Sequence, residues 1–290
     1  MRHDQERHQE PVLRFSKDLP LQRSTLRLSN YHAWHRRSTL TIILVGAFTW
    51  SLLNIDWREP LLHTGGVDAA ARLLASMLQP DLSPDLLYLG LVAAWRTLAY
   101  ATAGVTLAYV LAVPLGILAS GVLVRNSLLR PLTATAFRIC LGFLRAIHEL
   151  VWAWLFVAAI GLSPIAAVLA IAIPYAGILG RILAEMLNDV PEAPLRSLRT
   201  AGASEGQALL YGRLSIAFAD MVSYALYRYE CGIRSAAIMS FIGLGGLGYQ
   251  IQISLDDLQY RQVWTFVYML AALVVLVDGW SNLIRRRLVS

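Results

Sequence analysis

The sequence has 290 residues, 57% hydrophobic and 15% charged, against about 25% charged for an ordinary soluble domain. With a mean hydropathy of +0.53, this excludes a soluble globular protein and points to an integral membrane one. The basic excess, 25 Lys and Arg against 19 Asp and Glu, is spread over several loops, which excludes the one-sided basic face of a nucleic-acid binder.

Residues 1–37 form a polar tail with eight Lys and Arg and four histidines. It lacks the early apolar core and small-residue cleavage site of a secretory signal. Leu19, Leu21, Leu26, Leu28, Tyr31 and Trp34 allow either an interfacial helix on the cytoplasmic leaflet or an unstructured tail. His3, His8, His32 and His35 have spacings that fit no tight metal site. Thr39–Ile55 is a first apolar span. Asp56–Leu87, with Pro60, Gly65, Gly66, Pro80 and Pro84, reads as an external loop carrying one short helix at Val67–Leu78. Thr97–Val124 then runs 28 residues without a charge, long enough to cross at a tilt, with a kink expected at Pro114.

Pro131–Ile160 and Pro164–Leu187 are the third and fourth spans, joined by a short turn at Gly161–Pro164. A polar cytoplasmic loop at 190–215 follows. Ile216 to about Gly243 is the fifth span, a glycine-rich bend comes next, and Gln262–Ile284 is the sixth. The fold class is therefore all-α integral membrane, with a tail at 1–37 and a six-helix domain at 38–290. With both ends inside, the inner segments hold seventeen Lys and Arg and the outer ones three. That asymmetry fits the N-in/C-in orientation. Cys140 and Cys231 fall inside apolar stretches and read as buried thiols without a disulfide or metal role.

Several charges fall within the spans. Arg138, Arg145 and Glu149 follow one another at steps of seven and four, which on a continuous helix places them on one face. The fifth span carries Asp220, Arg228, Glu230 and Arg234, and Glu230 with Arg234 makes an i,i+4 pair. A charge facing lipid costs at least about 2.5–3.5 kcal/mol at the bilayer centre, so these groups face protein or water. In the structural reading, Arg145, Glu149, Glu230 and Arg234 pair across spans three and five. In the functional one, Arg145, Arg228 and Arg234 line a passage that attracts an oxyanion. His148 reads as a hydrogen-bonded packing residue or a proton-sensitive group. Gly243, Gly245, Gly246 and Gly248 match GxGxxG, but the strand and helix of a dinucleotide site are missing around them. A helix end, a close chain contact or a gate suits them better.

The loop at 190–215 is the most informative stretch. Leu198, Ala201, Ala208 and Leu209 recur at helical steps and predict one short amphipathic helix able to dock on a partner. Gly202-Ala203-Ser204 within it resembles the cytoplasmic coupling loop, the EAA motif, of ATP-binding-cassette import permeases. RAIHELVWAWLFVAAIG (Arg145–Gly161) and YRYECGIRSAAIMSFIGLGGLGYQI (Tyr227–Ile251) are similar to the phosphonate and phosphite branch of that family. The resemblance covers roughly residues 85–285. Arg196 and Ser197 stand where the family has Glu-Ala, Ser215 and His148 where it has prolines.

The resemblance implies a type I importer permease in a bacterial inner membrane. Leu198, Arg199, Gly202, Ala203, Ser204 and Leu209 would engage an ATPase subunit, and Gly243–Gly248 would lie at the external mouth. The implied partners are a second permease copy, two ATPase subunits that hold the ATP and magnesium, a periplasmic or lipid-anchored binding protein, and membrane lipid. The implied cargo is a phosphonate, phosphite or hypophosphite. A permease for another small solute, such as a methionine-type amino-acid importer, and a passive channel are the alternatives. No P-loop, HExxH or GxSxG is present, so nothing in the chain supports an enzyme.

Overall fold

The computed structural model describes residues 22–55, 65–124 and 126–289. The described chain is helical throughout. It divides into two compact units, Met1–Val67 and Asp68–Ser290.

In the first unit, α1 runs without a break from Gln22 to Leu53. Its apolar part, Ser38–Leu53, is shorter than a full span and exposes Ile42, Leu44, Phe48 and Trp50. Residues 1–21, including His3 and His8, lie outside the described residues, as do the side chains of His32 and His35. The backbone of residues 22–37 belongs to the same helix.

The second unit starts within α2 (Gly66–Ser76), close to the short helix expected at Val67–Leu78. α3 (Pro84–Ser120) starts some three turns earlier than expected and takes in Arg96. At 37 residues it is roughly 55 Å long. It stays helical on both sides of Pro114 and ends where Gly121, at φ 68°, returns its N–H to Leu118 O. α6 (Pro164–Asp189) begins on Ser163, whose hydroxyl accepts from Ala166 N. α3 and α6 form the centre of the molecule. Ala101, Ala108, Ala112, Ala170 and Ala172 are fully buried there. A Cβ on Gly116 would sit 2.9 Å from the Gly180 carbonyl oxygen. Membrane helices associate through such small residues because lipid leaves them no hydrophobic drive to separate from water.

The third span differs from expectation. α4 (Leu129–Ala146) and α5 (Glu149–Ile160) are separate helices whose axes differ by 83°. Ile147 and His148 are extended, with ψ 124° and 144°. The His148 Nδ1 accepts from Leu150 N at 3.2 Å and caps α5. Arg145, in the last turn of α4, and Glu149, at the first position of α5, therefore do not share a helical face. The residue standing where the family has proline still breaks the helix, by capping the new one instead of by lacking an N–H.

After the polar loop, α9 (Ser215–Met239) runs into a π-helical turn, π2 (Ser240–Leu244). A 52° bend follows. The segment expected to be an external loop then holds a ten-residue helix, α10 (Leu247–Asp256), before α11 (Tyr260–Val289). Among the described residues three helices, α3, α6 and α11, are each long and apolar enough to cross a membrane, and the two bent pairs raise that to five.

Candidate functional sites

The loop at 190–215 is two helices and not one. α7 covers Glu192–Thr200. Gly202 then takes φ +90° with nothing within 4 Å of its missing Cβ. Ala203 N donates to Leu198 O at 3.0 Å and Gly202 N to Arg199 O at 3.0 Å, the paired bonds of a Schellman stop. Ser204 restarts the chain. Its N–H donates to Gln207 Oε1 at 2.8 Å and its hydroxyl accepts from Gln207 N at 3.3 Å. This capping box opens the short α8 (Glu205–Gln207), which passes into a π-helical turn, π1 (Ala208–Leu214). Gly-Ala-Ser thus encodes stop, small step and restart.

The partition of the apolar residues also differs from the prediction. Ala208 and Leu209 are buried, and Leu209 packs in the chain's own core together with Leu195. Leu198 and Ala203 are half-buried. The outward face is Arg196, Ser197, Thr200, Ala201, Gly202 and Ser204.

An ion network holds this loop in shape. Arg199 Nη1 donates to Glu192 Oε2 at 3.2 Å and Nη2 to Glu205 Oε2 at 3.1 Å. Arg213 Nη2 lies 3.4 Å from Glu192 Oε1, and its Nη1 donates to Leu187 O at the end of α6. Arg213 is buried, and loss of water pushes its pKa down, partly offset by Glu192. Arg199 is held above the ordinary arginine range, first by its bond to Glu205. Glu192 therefore ties two arginines together from one turn before Arg196, the position where the family has its acid.

The intramembrane charges pair differently from the expectation. Glu230 in α9 accepts from Arg285 in α11. Arg234 is exposed and donates to Cys231 Sγ at 3.5 Å. Glu149 accepts from Ser235 Oγ at 2.6 Å, and that hydroxyl lies 3.0 Å from the Tyr175 hydroxyl. Span three and span five are thus joined through a serine and not through arginines. Arg228 stacks its guanidinium 4.6 Å from the centroid of the Tyr175 ring. Arg138 donates from Nε to Ala119 O at 3.1 Å, closing the end of α3. Asp278 in α11, an acid inside the apolar run 262–284, has a buried Oδ1 without a hydrogen-bond partner among the described residues. Both cysteines are free, and Cys140 is exposed, not buried.

The glycine bend is pinned to α3. Leu247 N donates to Thr97 Oγ1 at 3.0 Å, and the Tyr100 hydroxyl donates to Leu244 O at 3.1 Å. Gly243, Gly245 and Gly246 all have positive φ. A Cβ on Gly248 would lie 1.9 Å from the Ala237 carbonyl oxygen, a contact only glycine permits. No strand precedes the bend, so no dinucleotide fold is formed. At the other end of α9, a cavity of about 520 Å³ opens between the end of α6 and the start of α9, lined by Met186, Asp189, Asp220, Ser223, Tyr224 and Tyr227.

The family model for the inner membrane component of binding-protein-dependent transport systems matches residues 86–290. Among curated relatives, the phosphite transport system permease protein PtxC of Stutzerimonas stutzeri is 29% identical over 253 residues, covering 87% of this chain and 90% of that one. The phosphate-import permease protein PhnE of Mycolicibacterium smegmatis is 30% identical over 225 residues, 78% of this chain and 41% of its own. Among solved structures, the inward-facing MetNI methionine ABC transporter superposes with a TM-score of 0.62 at 20% identity, covering 71% of this chain and 99% of that one.

Proposed function

This chain belongs to the family of binding-protein-dependent transport system inner membrane components, and from that premise we propose that it carries a small phosphorus oxyanion (phosphonate, phosphite or hypophosphite) across a bacterial inner membrane. It is a multi-pass membrane permease of an ABC importer and not an enzyme. The observation that carries the cargo is the naming of relatives aligned over most of the chain, PtxC and HtxC among them, as phosphite permeases. The likeness to the methionine transporter rests on fold alone, so the amino-acid reading has no support from identity.

Six spans with both ends inside make up the permease, the sixth being the apolar part of α1. The seventeen-to-three distribution of Lys and Arg supports this orientation. The tip at Ala201–Ser204 then lies in the cytoplasm and docks on an ATPase subunit, which supplies ATP and magnesium. Arg199 acts from behind the tip by fixing α7 against α8. One such loop per chain calls for a second permease copy and a second ATPase. The glycine bend at Gly243–Gly248 faces the binding protein and gates the passage. A passive channel has no use for the docking tip.

The test is ATP-dependent uptake into liposomes that hold this permease with its own ATPase and binding protein. Phosphite, hypophosphite or methylphosphonate should accumulate, while methionine should not. Uptake of methionine, or of any anion without ATP, overturns the reading.

A further inference from the structure

The end of α3, the start of α4 and the end of α6 enclose another cavity, of about 420 Å³, lined by Ser120, Arg130, Pro131, Ala134, Arg138 and Asn188. Its size is that of a small-ligand site. Arg130 and Arg138 stand roughly 12 Å apart along the α4 axis, yet their side chains converge on the end of α3. Arg138 Nε donates to Ala119 O at 3.1 Å. A Cβ on Gly121, two residues further along the chain, would sit 3.2 Å from Arg130 Cγ.

Among the described residues, no carboxylate lines this cavity, and none lies within ion-pair distance of either guanidinium. The acids beside Asn188 on α6 are engaged elsewhere: Glu185 pairs with Arg181, and Asp189 lines the cavity on the α9 side. Arg138 has a structural task, since its Nε meets the carbonyl end of α3, where the helix dipole favours a cation. That task leaves its two Nη groups over. Arg130 has no such task. It lies in the first turn of α4, the end where its own helix dipole disfavours a cation. It also borders a cavity of about 250 Å³ shared with Glu192, Arg199, Glu205 and Arg213. Both carboxylates there are already held by Arg199 and Arg213, so Arg130 is the surplus charge. Both Arg130 and Arg138 are exposed.

Two unpaired guanidinium forks opening into one acid-free cavity suit phosphate oxygens. The cavity sits where the membrane helices α3 and α6 end, and basic pockets between such helices on the cytoplasmic side take lipid head groups. Leu128, Leu129 and Leu132, in and beside the first turn of α4, leave exposed apolar surface at the level of Arg130. A free oxyanion shares the phosphate chemistry but covers none of that surface, whereas a phospholipid brings its own chains. We infer that Arg130 and Arg138 hold the phosphate of an anionic phospholipid, with Asn188 as a further donor. That the lipid belongs to the cytoplasmic leaflet rests on the orientation proposed above; the site itself does not depend on the cargo.

The test uses the complete importer in phosphatidylcholine nanodiscs, reading the association of spin-labelled phosphatidylglycerol relative to spin-labelled phosphatidylcholine. R130Q and R138Q should each lower the preference for phosphatidylglycerol about five-fold, and R130K should keep most of it. R72Q, which removes the same charge from α2, should leave the preference unchanged. Millimolar inorganic phosphate should not displace the lipid. If R138Q does not assemble, R130Q carries the test alone, because its guanidinium has no partner among the described residues to lose. Undiminished preference in R130Q, or an equal fall in R72Q, overturns the site. Displacement by inorganic phosphate overturns the lipid in favour of a free anion. Loss of the ATPase subunit from R130Q with its lipid preference intact overturns it in favour of a protein contact. Labelling of Leu128→Cys from the outer face of sealed vesicles, with the lipid preference as expected, overturns the orientation and leaves the site standing.

Discussion

Glu230 in α9 is bonded to Arg285 in α11, 55 residues away, and not to Arg234 one turn along its own helix. The carboxylate is buried and the arginine half-buried, so this pair fixes how α11 lies against α9.

Removing one partner from a buried pair costs about 3–5 kcal/mol, because the other charge is left uncompensated. E230Q and R285Q should each lower the melting temperature of the purified complex substantially, and the double variant should lose less than the sum. R234Q should leave the melting temperature unchanged. A loss in R234Q equal to that in R285Q would contradict the pairing.

Thr97 accepts the Leu247 N–H across 150 residues. Thr97→Val leaves that buried donor unmet, at about 1–3 kcal/mol. Hydrogen exchange at residues 245–250 should accelerate in the valine variant and return to normal in Thr97→Ser. Unaltered exchange would mean that α3 does not hold the bend.

At Gly248 an added methyl collides with the Ala237 carbonyl. Gly248→Ala should cost about 3 kcal/mol or more and sharply reduce the yield of folded protein. Gly142→Ala, which meets nothing within 4 Å, is the matched control and should fold normally.

At the docking tip, Gly202→Val must take φ +90° with a branched side chain, at about 1–3 kcal/mol, although the space around it is open. Ser204→Ala removes the capping box, at about 0.5–2 kcal/mol. Both variants should remain assembled in the membrane while binding-protein-stimulated ATP hydrolysis falls. Unaltered stimulation in Gly202→Val would show that the tip's shape is irrelevant to coupling.

The long apolar elements were legible because α3, α6 and α11 hold long uncharged or nearly uncharged runs, although α3 begins well before its run, at Pro84. The break before α5 was not, since His148 lacks the fixed φ that marks a proline and interrupts the helix through a side-chain cap. The stop at Gly202 was half legible. Glycine and a Ser–Gln pair at capping-box spacing were in view, but the alanines and leucines around them fitted one helical period equally well. Periodicity also cannot tell an apolar residue that docks outward from one that turns inward, as Leu209 does. The choice of Arg285 over Arg234 depends on tertiary approach, which i,i+4 spacing does not encode.

From Glu205 to Ile242 the backbone is helical, through π1 and α9 and into π2, where Gly243 at φ 98° breaks it, a rod of roughly 57 Å at 1.5 Å per residue. Arg213 clamps one end of that rod to the foot of α6, and Thr97 and Tyr100 of α3 hold its far end. The first break in the helical backbone beyond Arg213 is therefore Gly243, at the bend itself.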